Sequence, residues 1–253
     1  MRKFHPLAVE AMHQGKRIYH LNIGQPDIST PQAFFDAIRE SQPRVLEYAA
    51  SAGVPELLAA VQGYYGRLGV SLQEQDILIT NGGSEALMML MLSILDEGDE
   101  IIVPEPFYPN YTTFIHAAGG VVCPVPTTPE EGYRYADRKK FESRINERTR
   151  AILLTTPGNP TGVALTREEM AMFKDLAKEH NLYLICDEVY REFAYETDEL
   201  LTMLSFEDAA DHVVIVDSVS KRFSACGARV GALVSRNRTL MDECMKFCQG
   251  RLS

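Results

Sequence analysis

No apolar run in this chain approaches the roughly 18 residues that a membrane-spanning helix needs, and Met1 to Pro6 carries no apolar core of a secretory signal. A soluble, cytoplasmic protein without a membrane partner is therefore expected. There is also no block of consecutive basic residues: 25 Lys and Arg stand against 35 Asp and Glu, a formal net charge of −10, which argues against nucleic acid or an anionic membrane as the main partner. The five cysteines, Cys123, Cys186, Cys226, Cys244 and Cys248, are odd in number and scattered, with several in apolar contexts. They predict reduced core thiols rather than a disulfide framework. Cys244 and Cys248 lie one helical turn apart, but no His or Cys follows at zinc spacing, so no metal site is expected. No internal repeat, low-complexity tract or clear linker interrupts the chain, and the segment 127–132 reads as a surface loop.

What the 253 residues do contain, at 45% hydrophobic and 24% charged, is a regular alternation of short apolar runs with amphipathic stretches. The runs 76–80, 100–103, 120–125, 151–155, 182–186, 213–217 and 229–234 predict strands. Thr30-Pro31, Thr166 with Glu169 three residues on, and the periodic stretches 84–95 and 239–251 predict helices between them. That order implies an α/β fold with a mainly parallel sheet covered by helices.

Four short constellations carry chemistry. Lys221 follows an apolar run and sits between Ser218 and Arg229, so it can present an amine to a carbonyl while hydroxyl and guanidinium grip an anion. A solvated turn at a strand end is the alternative. Asn81-Gly82-Gly83-Ser84 joins a strand to a helix, with glycines that let the backbone approach an anion at the helix N-terminus; an ordinary glycine turn fits equally. Asp187 ends an apolar run, where its carboxylate would be partly desolvated and would suit a protonated ring nitrogen, with Tyr190 facing the same ligand if the chain turns helical. An exposed Asp-Glu pair is the plainer account. Thr156-Pro157-Gly158-Asn159-Pro160-Thr161-Gly162 follows another apolar run, and its prolines stiffen a loop that holds one amide. Two rival readings are weaker. Gly82 to Ala86 approximates a nucleophile elbow but lacks its last glycine and an evident His-acid pair, and the strand leading to Asp187 resembles that of a nucleotide hydrolase but no phosphate-binding G-x-x-x-x-G-K-[ST] loop is present.

Taken in order, Asn159-Pro160-Thr161-Gly162, Asp187-x-x-Tyr190 and Ser218-x-Ser220-Lys221 with Arg229 resemble the class I/II aminotransferases of fold type I, which use pyridoxal 5′-phosphate. The similarity runs from segment 21–27 to segment 249–253. It implies a three-layer α/β/α large domain with a mostly parallel seven-stranded sheet over residues 30–253, preceded by a 1–29 segment leading into a substrate-side loop.

The resemblance makes Lys221 the amine that forms the internal aldimine and later moves the substrate proton. It places Asp187 on the pyridine nitrogen and Asn159 and Tyr190 on the ring oxygen. Gly82, Gly83, Ser84, Ser218 and Arg229 would receive the phosphate, and Tyr108 would stack on the ring. Tyr48 would reach the phosphate of the neighbouring subunit in a homodimer. Gly24 and Asn159 would face the substrate. The implied reaction moves an amino group between an amino acid, aspartate or glutamate foremost, and a 2-oxo acid; a C–S lyase or synthase on the same scaffold, or a cofactor-binding fragment without turnover, are the alternatives.

Departures from the family pattern bear on specificity. Tyr111 stands where one subgroup has a histidine behind the acid, and Ser84 where another has a lysine for the distal carboxylate. The small C-terminal domain, with its arginine for the substrate carboxylate, is expected to be absent from this chain.

Overall fold

The computed structural model describes residues 4–20, 24–195 and 200–251. Its centre is a seven-stranded sheet in the order β1 (Ile77–Thr80), β7 (Gly231–Val234), β6 (Val213–Ser218), β5 (Tyr183–Asp187), β4 (Thr149–Thr155), β2 (Glu100–Glu105) and β3 (Val121–Pro126). β7 runs antiparallel to both β1 and β6, and every other pairing is parallel.

The central strands are apolar at successive positions because both faces are covered. Strand alternation sorts their side chains into two cores. Ile152, Leu154, Leu184, Cys186 and Ile215 pack on one side with Phe141, Met170 and Phe173, whereas Ala151, Leu153, Ile185, Val214 and Val216 pack on the other with Leu90, Met91 and Cys244. The first side is roofed by α3 (Pro55–Arg67) and α7 (Arg167–Glu179), with α6 (Arg138–Glu142) against α7; the second by α4 (Gly83–Ile94), α5 (Asn110–Ala117) and α9 (Arg238–Gly250). Helix, sheet and helix make the three layers that the sequence pattern implies. α1 (His5–His13) and α2 (Gln32–Glu40) bury no residue.

Three local expectations are corrected. The last strand begins at Gly231, because Arg229 adopts a left-handed backbone (φ 53°) that cannot extend a strand. Pro31, not Thr30, caps α2, and the Thr30 hydroxyl instead donates to the Ser224 carbonyl at 2.6 Å. After Asp187 the chain makes a turn and a short 3₁₀ segment, Arg191–Phe193, rather than an α-helix. The Thr166 capping box is formed as expected, Thr166 Oγ1 accepting from Glu169 N and the Glu169 side chain accepting from Thr166 N. Free thiols occur throughout, with Cys186, Cys244 and Cys248 buried in the core but Cys123 and Cys226 half-buried. No described helix is long and apolar enough to cross a membrane.

Candidate active site

Parallel strands end on one edge, and the chemistry-bearing loops gather there. β1 leads into Asn81 and Gly82, β4 into 156–162, β5 into Glu188 to Tyr190, and β6 into the single-turn helix α8 (Val219–Arg222) that carries Lys221.

Lys221 Nζ donates to the Gly24 carbonyl at 2.5 Å and lies 5.9 Å from the centre of the Tyr190 ring. These three residues, with Pro157, Gly158 and Phe193, line a cleft of about 340 Å³. Tyr190 Oη accepts from Asn159 Nδ2 at 3.3 Å, so the loop after β4 and the turn after β5 meet across the cleft.

Asp187 is 6% exposed and accepts from Tyr111 Oη at 2.6 Å through Oδ2 and from Val189 N at 3.3 Å through Oδ1. Burial outweighs both bonds and pushes its carboxyl up to about 6. Burial, and next the negative field of Asp187, also raise the Tyr190 phenol. Tyr108 stands edge-on to Tyr111, ring centres 5.5 Å apart.

The third part is a cradle. Gly82 turns with φ 79° at the N-terminus of α4, and the Arg229 guanidinium lies where a Cβ at Gly82 would collide with it. Arg229 Nη2 donates to Asn81 O at 3.1 Å, which holds the cation over the turn. Gly231 passes so close that a Cβ there would stand 2.5 Å from Gly82 C. Ser218 caps α8, its Oγ accepting from Ser220 N at 3.1 Å. The turn thus combines backbone N–H groups, a helix N-terminus and a fixed cation, a donor set suited to a phosphate. Gly83 and Ser84 occupy the first two positions of α4.

The expected site residues therefore converge, with one exception. No hydrogen bond, ion pair or ring contact joins Tyr48, 85% exposed, to the others among the described residues. Residues missed in the sequence are Thr155, whose hydroxyl is 2.7 Å from Tyr111 Oη, and Cys226, whose Sγ is 3.9 Å from Lys221 Nζ. Only Cys226 had a local signal, its place five residues after Lys221.

Comparison with known proteins decides the family, since the model for aminotransferase class I and II matches residues 16–251. The chain belongs to that family. An aspartate/prephenate aminotransferase of Thermus thermophilus is 35% identical over 88% of this chain and 58% of its own length, and an aspartate aminotransferase of Pyrococcus horikoshii is 31% identical over 89% and 57%. Among solved structures, the aspartate aminotransferase of Thermotoga maritima superposes with a TM-score of 0.91 at 31% identity, covering 98% of this chain and 66% of that one. The Thermus thermophilus enzyme with maleate gives 0.88 at 32% identity, covering 98% and 64%. The chain spans under two thirds of the length of the curated relatives named here. The mostly parallel seven-stranded sheet matches the fold type I aminotransferase structures.

Proposed function

We propose that residues 30–253 form the cofactor-binding domain of an aminotransferase that exchanges the amino group of aspartate or glutamate with a 2-oxo acid, using pyridoxal 5′-phosphate. The observation that carries this reading is the amine of Lys221 opening into the cleft beside Tyr190 and Gly24, between a buried acid and a cationic glycine cradle.

The residues present fit that cofactor. The space a Cβ would take at Gly82 is filled by the Arg229 guanidinium, which leaves backbone and cation together for a phosphate. Asp187 is a buried carboxylate at the β5 end that a tyrosine phenol, not an arginine, holds, a suitable partner for a protonated ring nitrogen. When bound, the cofactor supplies an aldehyde for a primary amine and a ring that accepts the charge left by a departing Cα proton.

Lys221 would hold the cofactor through its amine and would be the base placed to take and return the proton at the substrate Cα. Asn159 and Tyr190 would donate hydrogen bonds to the ring oxygen and favour its ionised form. Asp187 would keep the ring nitrogen protonated, and Gly24 would offer backbone to the substrate carboxylate. A homodimer in which Tyr48 reaches the neighbouring site accords with the exposed apolar side chains of Ile28, Leu46 and Tyr48. Five free thiols suit a reducing, cytoplasmic setting.

The test is spectroscopic and then chemical. Adding pyridoxal 5′-phosphate should produce an absorption band of a lysine-bound cofactor that Lys221→Ala abolishes; a variant that keeps the band removes Lys221 from its role. Incubation with aspartate plus 2-oxoglutarate should yield glutamate, whereas product from cystathionine alone would replace the aminotransferase with a lyase.

A further inference from the structure

Beneath the site lies a buried ionic cluster of Glu188, Arg191, Asp217 and Arg222, with side chains 0, 2, 7 and 11% exposed. Each is the chain neighbour of a proposed cofactor contact: Asp187, Tyr190, Ser218 and Lys221. Strand alternation sends Asp217 and Ser218 to opposite sides of β6, and the chain does the same with Asp187 and Glu188 at the end of β5.

Asp217 is the hub. Its two carboxylate oxygens each accept from Arg222 Nη2 at 2.9 Å, Oδ2 accepts from Tyr65 Oη at 3.1 Å and lies 3.6 Å from Arg191 Nη1, and Oδ1 accepts from Ser218 N at 2.7 Å. Arg191 also pairs with Glu188 and donates to Tyr64 Oη at 2.8 Å. The Arg222 guanidinium carbon lies 3.9 Å from the centre of the Tyr64 ring, and Tyr64 Oη donates to Glu192 at 2.6 Å. Burial pushes the Tyr64 phenol up to about 12 and also raises that of Tyr65, so both tyrosines of α3 serve as neutral donors.

Stability does not account for such a cluster. Buried ions lose their hydration, and apolar replacements of similar volume are often neutral or stabilising. Ionic hydrogen bonds supply direction, which apolar packing does not. Direction is what α8 needs, because a helix of four residues cannot hold its own geometry.

We propose that this cluster, with Asp217 at its centre, is a positioning device that aims Asp187, Tyr190, Ser218 and Lys221 together at the bound cofactor. It rests on the cofactor reading above. Asp217, Arg222, Arg191 and Glu188 are positioning residues, since none touches the cleft. Their removal loosens four contacts at once.

The experiment compares parent, Asp217→Asn, Arg222→Met and Arg222→Lys for pyridoxal 5′-phosphate affinity and for the circular dichroism band that the bound cofactor acquires when it is held in one orientation. Asp217→Asn and Arg222→Met should weaken binding about tenfold and diminish the band, as loss of a supporting shell does elsewhere, with Arg222→Lys between them and the parent. If Asp217→Asn does not fold, Tyr65→Phe removes one bond to the hub while keeping the ring, and should reduce the same band by a smaller amount. Variants that melt at a lower temperature yet keep parental affinity and band would overturn the proposal, leaving the cluster structural. A parent that never binds the cofactor overturns the reading on which it rests, so the two failures are distinct.

Discussion

The phenol of Tyr111 donates a 2.6 Å hydrogen bond to Asp187 Oδ2, setting a neutral donor against a buried acid. A cationic partner would hold the carboxyl low. A phenol offsets only part of the cost of burial, and the carboxyl rises from 3.8 to about 6.

Stability of the cofactor-free protein should therefore carry the signature of Asp187. Below about pH 3 the carboxyl is protonated in both folded and unfolded chains and costs almost nothing. As pH rises toward 6 the unfolded chain ionises first, so stability is lost, reaching about 3 kcal/mol by pH 8. Asp187→Asn removes the charge: its melting temperature should match the parent at about pH 3 and exceed it by several degrees at pH 8. Tyr111→Phe should move the parental midpoint upward, because the lost bond favours the ionised form. An Asp187→Asn difference that does not change with pH would remove burial as the cause.

Gly231→Ala should destabilise by about 1–3 kcal/mol, since the new Cβ meets backbone atoms of Gly82 and Gly83 at 2.5 and 2.7 Å and neither can rotate away. Gly63→Ala makes the contrast. That helical glycine has nothing within 4 Å of the added Cβ, so the change should stabilise by about 0.5–1 kcal/mol. Urea titrations of both variants test the pair, and similar signs would contradict the account.

Thiol reactivity should divide the cysteines. Cys123 and Cys226 are half-buried and should react with an aromatic disulfide reagent in the native protein, while Cys186, Cys244 and Cys248 should react only on unfolding. Burial raises the thiols of Cys186 and Cys244, which slows them further. Mass spectrometry of partly labelled protein identifies the fast sites.

Thr166→Ala should cost about 1 kcal/mol by uncapping α7, with cofactor affinity unchanged. A loss of affinity would mean that α7 supports the site itself.

The core strands were plain in the sequence because β4, β5 and β6 each hold four successive apolar residues, a pattern that both-sided burial demands. β2 runs on to Glu105, past the expected end at 103, because its parallel pairing with β3 continues there. Lys221, Asp187 and Asn159 were legible because each follows an apolar run and sits in a distinctive string. The role of Arg222 was not. Asp217 lies five residues before it, but Tyr64 and Glu192 come from distant stretches, and adjacency to Lys221 alone reads as a solvated pair. Thr155 was hidden in the same way, as one more β-branched residue at a strand end.

β1 finds its hydrogen-bonded neighbour in β7, more than 150 residues later, and the glycine turn that follows β1 is closed by Arg229 and Gly231. Loop closure over that distance comes late in folding. On the ribosome, the first half of the anion cradle waits unpaired while the middle of the sheet is made. The turn can close only after Val234 has emerged, so its two halves, made more than 150 residues apart, reach their final places together.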